Sequence, residues 1–253
     1  MENPNTILIT GASSGIGRAL ALVYAAPGTR LFLCARRRDA LEDTAEACRI
    51  FEAEVECHAV DVEDREAIGR YVLGADKLAP LDLVIANAGV SGGTGDGGED
   101  DDQAREIFSI NLAGTLNTIH PIIPQMRTRG RGQIALMASL AAYRGFPGAP
   151  AYSAAKAAVK TYGEALRGNL MPHGVEVSTI CPGFVRTPMT DANPYKMPFL
   201  MEADRAARII RRGLRRNKTV IAFPWQMHWA VSILSLLPPG LAVKMMSRLP
   251  EKP

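Results

Sequence analysis

Residues 6–17 of the chain have the sequence TILITGASSGIG, which combines a strand pattern with a glycine-rich turn. Its first five residues, Thr6 to Thr10, form an apolar run with β-branched side chains, which predicts a strand buried on both faces of a parallel sheet. A helical pattern follows the glycines, from Arg18 to Ala26. A glycine-rich turn between strand and helix lets the backbone approach a pyrophosphate, which then lies at the positive end of the helix. A plain glycine turn is the alternative, but the strand–turn–helix context favours a dinucleotide site.

Short apolar runs alternate with helical patterns along the rest of the chain. Further strands are predicted at 30–35, 55–60, 81–86, 133–137, 175–180 and 219–223, and helices at 39–51, 64–78, 103–126, around 152–156 and at 202–216. This alternation predicts an α/β fold, a doubly wound parallel sheet of about seven strands with helices on both faces, in one domain over residues 1–223. Ligands of such sheets bind at the carboxyl ends of the strands. The strand ends carry residues 11–17, Arg36, Asp61, Asn87, Ser139 and Pro182, so we expect these to converge.

The end of the second predicted strand indicates which dinucleotide fits. In a dinucleotide-binding sheet this position meets the adenosine ribose, where an acidic residue would accept hydrogen bonds from a free 2′-hydroxyl. Here Ala35 is followed by Arg36, Arg37 and Arg38, and guanidinium groups pair well with a phosphate. Asp39 lies past the strand, where we expect it to cap the next helix. The sequence therefore predicts NADP(H) in preference to NAD(H).

A cluster around Tyr152 predicts proton-transfer chemistry. Tyr152 and Lys156 are four residues apart, so on a helix their side chains are neighbours. An ammonium beside a phenol favours the phenolate and lowers the pKa of the phenol toward the working pH. Ser139 follows the strand at 133–137, so its hydroxyl can be directed at the same reacting oxygen. The spacing of tyrosine and lysine is weak evidence by itself, because such pairs occur by chance on many helices.

Composition excludes several other classes of function. The 253 residues suffice for one large core, and 47% apolar and 22% charged residues are ordinary for a soluble globular protein. A net charge of +3, without a basic stripe interleaved with aromatics, indicates no nucleic-acid partner. The four cysteines and four histidines lack metal-ligand spacing, which predicts neither a disulfide framework nor a metal site. Met1 to Asn5 is short and polar rather than a signal peptide, so a cytoplasmic protein is expected.

Taken together, these motifs resemble the short-chain dehydrogenase/reductase family over nearly all of the stretch from Thr6 to Phe223. The matching segments are TGASSGIG at 10–17, DV at 61–62, NAG at 87–89, Asn111 within INLAG, Ser139, YSAAK at 152–156 and PGFVRTP at 182–188. Each motif is weak alone, and the resemblance depends on their common order and spacing. It implies a Rossmann-type fold and an NADP(H)-dependent oxidoreductase that interconverts a ketone and a secondary alcohol.

The resemblance also implies the catalytic roles. Tyr152 is the general acid in carbonyl reduction and the general base in alcohol oxidation, and Ser139 holds the substrate oxygen. Lys156 binds the nicotinamide ribose and lowers the pKa of Tyr152. Asn111 keeps a water molecule in a proton relay.

A cofactor-binding set follows from the same resemblance. It comprises Gly11, Ser13, Ser14, Gly15, Ile16, Gly17, Arg36, Arg37, Asp61, Val62, Asn87, Ala88, Gly89, Tyr152, Lys156, Pro182, Gly183, Val185 and Thr187. Within this set, Asp61 and Val62 contact the adenine, and residues 87–89 line the cofactor channel. Val185 and Thr187 hold the carboxamide.

The C-terminal extension, residues 224–253, departs from the resemblance because it is rich in Trp, Met and Leu. Its apolar runs are shorter than the roughly 20 residues that span a bilayer. Three alternatives stay open: a hydrophobic lid or dimer surface, a helix on a membrane surface, and an exposed patch without a role. Some members of the family that act on lipid-like or steroid-like substrates have apolar C-terminal extensions, so the resemblance implies a hydrophobic or lipid-linked small-molecule substrate. Its pocket is expected to form from residues 141–150, the substrate flap at 187–205 and this extension.

Two other functions are compatible with the fold. A non-catalytic protein that binds or senses NADP(H) would use the same sheet, but the presence of Tyr152, Lys156 and Ser139 disfavours it. An epimerase or dehydratase of the longer-chain relatives would need an additional substrate domain, for which the chain after Gly183 leaves too little room. Family resemblance also implies a homodimer or homotetramer.

Overall fold

The computed structural model describes residues 4–92, 99–191 and 197–246. Within these ranges the strands are β1 (Thr6–Thr10), β2 (Arg30–Ala35), β3 (Glu54–Ala59), β4 (Leu83–Ala86), β5 (Gly132–Met137), β6 (Val175–Pro182) and β7 (Val220–Phe223). All are parallel and form one sheet in the order β3-β2-β1-β4-β5-β6-β7. The predicted strands agree with these bounds to within two residues at each end. The seven-stranded doubly wound sheet is therefore confirmed.

Helices cover both faces of this sheet. They are α1 (Gly15–Tyr24), α2 (Arg38–Arg49), α3 (Arg65–Leu78), α4 (Asp101–Phe108), α5 (Gly114–Ile119), α6 (Ile123–Arg129), α7 (Pro150–Leu170), α8 (Pro188–Asp191), α9 (Ala203–Arg215), α10 (Trp225–Leu236) and α11 (Pro239–Met246). Apolar side chains of α1, α2 and α9 form one core with one face of the sheet, and those of α3, α6 and α7 form a second core with the other face. β1 and β4 are buried throughout because they lie in the middle of this sandwich.

Strand order reverses at β1, which pairs with β2 on one side and with β4 on the other. The loops after β1 and β4 consequently leave the sheet in opposite directions and open a crevice between them, which is the ligand-binding position in this class of sheet. Thr10 ends β1, and Asn87 directly follows β4 at the edge of that crevice.

The predicted continuous helix over 103–126 is wrong. It consists of α4, a π-helical turn at Ser109–Ala113, α5 and, after a break at residues 120–122, α6. Pro121 lies in the break, and a proline has no N–H to donate to a preceding carbonyl. The π-helical turn contains Asn111, whose buried side chain bonds to a neighbouring loop rather than to the helix. Tertiary hydrogen bonding here overrides the helical periodicity.

The expected cap at Asp39 is also misplaced. Helix α2 begins one residue earlier, at Arg38, with Arg37 at the N-cap position. Asp39 lies in the first turn, where its carboxylate interacts favourably with the positive end of the helix.

Several predicted segments fall partly outside the described residues. These parts are 1–3, 93–98 of the acidic glycine-rich loop, 192–196 of the flap and 247–253 of the C-terminal extension. The rest of the extension folds into α10 and α11. None of the described helices is long and apolar enough to cross a bilayer.

Candidate active site

The glycine-rich turn after β1 has the geometry of an anion cradle. Gly11 and Gly15 have φ angles of +66° and +54°, in the left-handed region that favours glycine. A Cβ at Gly17 would lie 2.2 Å from the carbonyl oxygen of Gly11, so any side chain there would displace the turn. Helix α1 begins directly behind this turn with Ser14 at its N-cap. Its first N–H groups, which have no partner within the helix, can therefore receive a phosphate.

Asn87, at the end of β4, fixes the second side of the crevice. Its side-chain Nδ2 donates to the carbonyl oxygen of Thr10 at 2.9 Å. The Thr10 hydroxyl in turn accepts from the backbone N–H groups of Asn87 and Ala88, at 3.0 and 3.1 Å. Thr10 thus joins the two loops, although it was not among the predicted site residues. Only the pairing of β1 with β4 brings it opposite Asn87.

The ends of β2 and β3 form the adenosine side of the crevice. Arg36 and Arg37 are exposed and line it, directly after the buried Ala35. Asp61 accepts a hydrogen bond from the backbone N–H of Glu63 at 3.0 Å, which holds the loop after β3 in a tight turn. Two guanidinium groups therefore stand at this end of the crevice, where they can pair with an anionic group.

Ser139, Tyr152 and Lys156 come together between β5 and α7. Ser139 follows β5, and its Oγ accepts from the backbone N–H of Ala141 at 3.1 Å, so its own proton can be donated toward Tyr152 or a ligand. Tyr152 lies in the first turn of α7. One turn further on, the Lys156 ammonium donates to the carbonyl oxygen of Met137 at 2.9 Å and lies 5.8 Å from the centre of the Tyr152 ring.

Burial dominates the pKa values of this centre. Desolvation raises the pKa of Tyr152 above its ordinary value, and the hydrogen bond with Ser139 offsets part of that rise. The net direction is opposite to the lowering that we expected from Lys156. Burial lowers the pKa of Lys156 itself, from 10.5 to about 8. Removal of both groups from water therefore outweighs the attraction between ammonium and phenolate.

Asn111 is fully buried and acts on the loop after β4. Its side-chain Oδ1 accepts from the backbone N–H of Val90 at 2.9 Å, and its Nδ2 donates to the Val90 carbonyl oxygen at 2.8 Å. A Cβ at Gly89 would lie 2.6 Å from that Oδ1 and 3.3 Å from the Lys156 Nζ. Asn111 thus fixes the backbone at Gly89 and Val90, directly after β4 and next to the Lys156 ammonium.

The loop after β6 closes the crevice from above the glycine-rich turn. A Cβ at Gly15 would lie 2.9 Å from the Thr187 side chain, so the two loops are in close contact. Thr190 holds this loop by donating to the carbonyl oxygen of Val185 at 2.7 Å. Val185 also bridges to Met201, which ties the start of this loop to the later part of the flap.

All of these loops line one cavity of about 780 Å³. Every predicted site residue borders it except Asn111, which lies behind Gly89. Several lining residues were not named individually, namely Phe184, Phe146 within the expected pocket segment 141–150, and Gln226, Met227, Ala230, Val231 and Met246 in the extension. The last five come from α10 and α11, far from the motifs along the chain, and only the abundance of Trp, Met and Leu in this extension pointed to a pocket wall.

Comparison with known proteins places this geometry in a family. The family model for the short chain dehydrogenases matches residues 5–197. An uncharacterized oxidoreductase of Myxococcus xanthus (strain DK1622) is 40% identical over 237 residues, with 92% of each chain covered. The 17-beta-hydroxysteroid dehydrogenase 13 of Rattus norvegicus is 29% identical over 248 residues, covering 96% of this chain and 82% of the relative.

A solved structure shows the same fold. The short-chain dehydrogenase from Sphingobium yanoikuyae in complex with NADPH has a TM-score of 0.81 and 25% identity, covering 97% of this chain and 96% of the other. The chain belongs to the short-chain dehydrogenase/reductase family. It is an NAD(P)-dependent oxidoreductase acting on CH–OH groups.

The described residues fit the dinucleotide. The glycine cradle has no space for side chains, α1 begins behind it, and the cavity continues from this cradle to Ser139 and Tyr152. Within the described ranges, no cluster of three or more His, Cys, Asp or Glu side chains is arranged to hold a metal ion.

Proposed function

We propose that this protein is an NADPH-dependent reductase that converts a ketone to a secondary alcohol, with Tyr152 as proton donor. The observation that carries the proposal is that Ser139, Tyr152 and Lys156 line the same cavity as the glycine cradle. One chamber therefore joins a dinucleotide site to a pair of hydroxyl groups. That combination supports transfer of a hydride and a proton to the same carbonyl.

The three polar side chains have separate roles in this proposal. The bound nicotinamide supplies the hydride. Tyr152 holds the proton that the substrate oxygen receives, and its raised pKa favours the neutral, proton-donating form at pH 7. Ser139 keeps its Oγ fixed on the Ala141 N–H and directs its proton at the same oxygen.

Lys156 and Asn111 act behind the reacting oxygen. The ammonium of Lys156 stabilises negative charge on Tyr152 after the proton leaves and can bind ribose hydroxyls. Asn111 fixes the backbone at Val90 through two hydrogen bonds, which sets the position of Gly89 beside Lys156. The water relay through Asn111 stays a prediction.

Replacement of Tyr152 tests the chemistry. Tyr152→Phe is expected to lower kcat at least ~100-fold, since a positioned general acid contributes about 10²–10⁴. The Kd for NADPH, measured by fluorescence titration, should change little. Tyr162→Phe is the matched control, because Tyr162 lies on the same helix with its hydroxyl bonded to His120. Full activity in Tyr152→Phe would refute the assignment.

A preference for NADP(H) over NAD(H) is supported by Arg36 and Arg37 at the adenosine end. Arg36→Ala should weaken NADPH binding about 10-fold or more and leave NADH binding nearly unchanged, because a charge-assisted pair contributes about 1.5–3 kcal/mol. Arg38→Ala is the control, since Arg38 lies in α2 and outside the cavity lining. Tighter binding of NADH than of NADPH by the unmodified protein would contradict the preference.

We also propose that the C-terminal extension acts as a lid. Residues of α10 and α11 border the cavity, while Trp225 and Trp229 are exposed on the outer side of α10. Deletion after Phe223 should then raise KM for substrate with little change in the Kd for NADPH. Contact with a membrane surface, cytoplasmic localisation and a homodimer or homotetramer stay predictions, to be tested by liposome co-sedimentation, fractionation and light scattering.

A further inference from the structure

The charged side chains among the described lining residues lie at the adenosine end of the cavity and behind Tyr152. Among the described residues that line it, four are charged, and these are Arg36, Arg37, Asp61 and Lys156. The first three stand at the ends of β2 and β3, on the adenosine side, and Lys156 lies behind Tyr152. Beyond Ser139 and Tyr152, where the substrate body must extend, the described lining is uncharged. Among the described residues, none at that end offers a charged partner to a charged substrate group.

The wall of this uncharged end comes from α10 and α11. Met227, Val231 and Met246 border the cavity, together with Leu140 next to Ser139. A Cβ at Gly183 would lie 3.0 Å from the Met227 sulfur and 3.3 Å from Leu140 Cδ1, so the methionine is packed against the strand end.

An aromatic contact fixes that wall over the reacting groups. The His228 ring on α10 meets the edge of the Tyr143 ring with their centres 5.2 Å apart. Tyr143 follows the short helical turn that begins after Ser139. The wall is therefore tied to the segment that carries the Ser139 hydroxyl, and its distance from the reacting oxygen is set by the fold.

We propose that the substrate is an uncharged carbonyl compound with an extended apolar body, and that α10 and α11 select it. This inference rests on the proposed reductase function. An apolar chain gains about fourfold in affinity for each methylene that it buries against Met227, Val231 and Met246. A carboxylate in the same place loses its hydration and gains no cation from the described lining in return. Keto acids, phosphorylated sugars and acyl groups on charged carriers are therefore disfavoured.

Two ketones that differ only in charge test the inference. One is methyl octyl ketone (2-decanone), and the other is 9-oxodecanoate, in which a carboxylate replaces the terminal methyl group. Both present the same methyl ketone to the reacting groups. We expect kcat/KM with NADPH to be at least ~100-fold higher for the neutral ketone, equivalent to about 2.7 kcal/mol. Binding of the pair to NADPH-loaded Tyr152→Phe, measured by calorimetry, should show the same order of affinity without chemistry.

A lysine placed on the wall provides the matched variant. Ala230 lines the cavity and is exposed at its rim, whereas Ile233 on the same helix is 58% exposed and lies outside the lining. Ala230→Lys should shift the ratio of affinities toward the carboxylate at least ~10-fold, and Ile233→Lys should leave it unchanged.

The outcomes separate this inference from the reductase function. Equal or stronger binding of the carboxylate by the unmodified wall would overturn the inference, whatever the turnover. Absence of turnover with both ketones, together with tighter binding of the neutral one, would refute the reductase function and still support an apolar ligand.

Discussion

Replacing Lys156 with methionine is expected to stabilise the folded protein at pH 7 by about 2 kcal/mol, even though it removes activity. Lys156 is 3% exposed, and its ammonium has one identified acceptor, the carbonyl oxygen of Met137. Burial lowers its pKa from 10.5 to about 8, so the folded state binds the lysine proton less tightly than the unfolded chain does. Methionine has a similar shape and needs no hydration.

The magnitude follows from that pKa difference. The fall from 10.5 to about 8 corresponds to about 3.4 kcal/mol at about 1.36 kcal/mol per pKa unit. Loss of the hydrogen bond to Met137 costs about 1 kcal/mol, so the net stabilisation by Lys156→Met is about 2 kcal/mol. Below pH 8 Lys156 of the unmodified protein is protonated in both the folded and the unfolded state, and the folded state carries the full free-energy cost of the buried ammonium. As the pH rises from 8 to 10.5 the unfolded chain keeps the proton longer, so this cost disappears.

Urea unfolding of both proteins at intervals from pH 7 to pH 11 measures the difference. Only the difference between them is informative, because burial raises the pKa of Cys34 and Cys181 from 9.0 to about 12 and the folded state of both proteins loses stability above pH 9. The advantage of Lys156→Met should shrink between pH 8 and 10.5. Lys77→Met, at an exposed site on α3, should show no such trend. A destabilised Lys156→Met, or a difference independent of pH, would refute the burial argument.

Two further substitutions test the positions of Asn111 and of the β4 loop. Gly89→Ala should lower kcat at least ~10-fold because its Cβ would lie 2.6 Å from the Asn111 Oδ1, whereas Gly74→Ala, with open space around it, should stabilise α3 by about 0.5–1 kcal/mol. Enzyme assays and thermal unfolding of both variants compare them. Arg129→Ala should cost about 2–3 kcal/mol in urea unfolding without changing kcat, because it leaves the partly buried Asp76 carboxylate without its two-point partner.

The fold was predictable because local and global signals agree along most of the chain. The apolar runs that became β1 and β4 are buried on both faces, as continuous runs require. Parallel strands place their carboxyl ends at one edge, which is why residues separated along the chain, such as Asn87 and Ser139, line the same cavity.

Features that depend on contacts distant in sequence were not predictable. The π-helical turn around Asn111 exists because the side chain bonds to Val90, and helical periodicity does not report such a bond. The direction of the Tyr152 pKa depends on how far the phenol is desolvated, which spacing from Lys156 does not reveal. The position of Met227 in the cavity wall depends on where α10 packs after β7, which the sequence does not reveal.

Three side chains of the site, Ser139, Lys156 and Asn111, are held in place in the same way although they lie in or beside loops. Ser139, Lys156 and Asn111 are each hydrogen-bonded to backbone groups at or after a strand end, at Ala141, Met137 and Val90 respectively. Backbone groups next to a parallel sheet move little, because the ladder and two cores fix them. Hence the positions of the proton-transfer groups are insensitive to side-chain changes elsewhere. The substrate wall on α10 and α11 rests on side-chain packing at the sheet edge, so substitutions there can change specificity while the chemistry is retained.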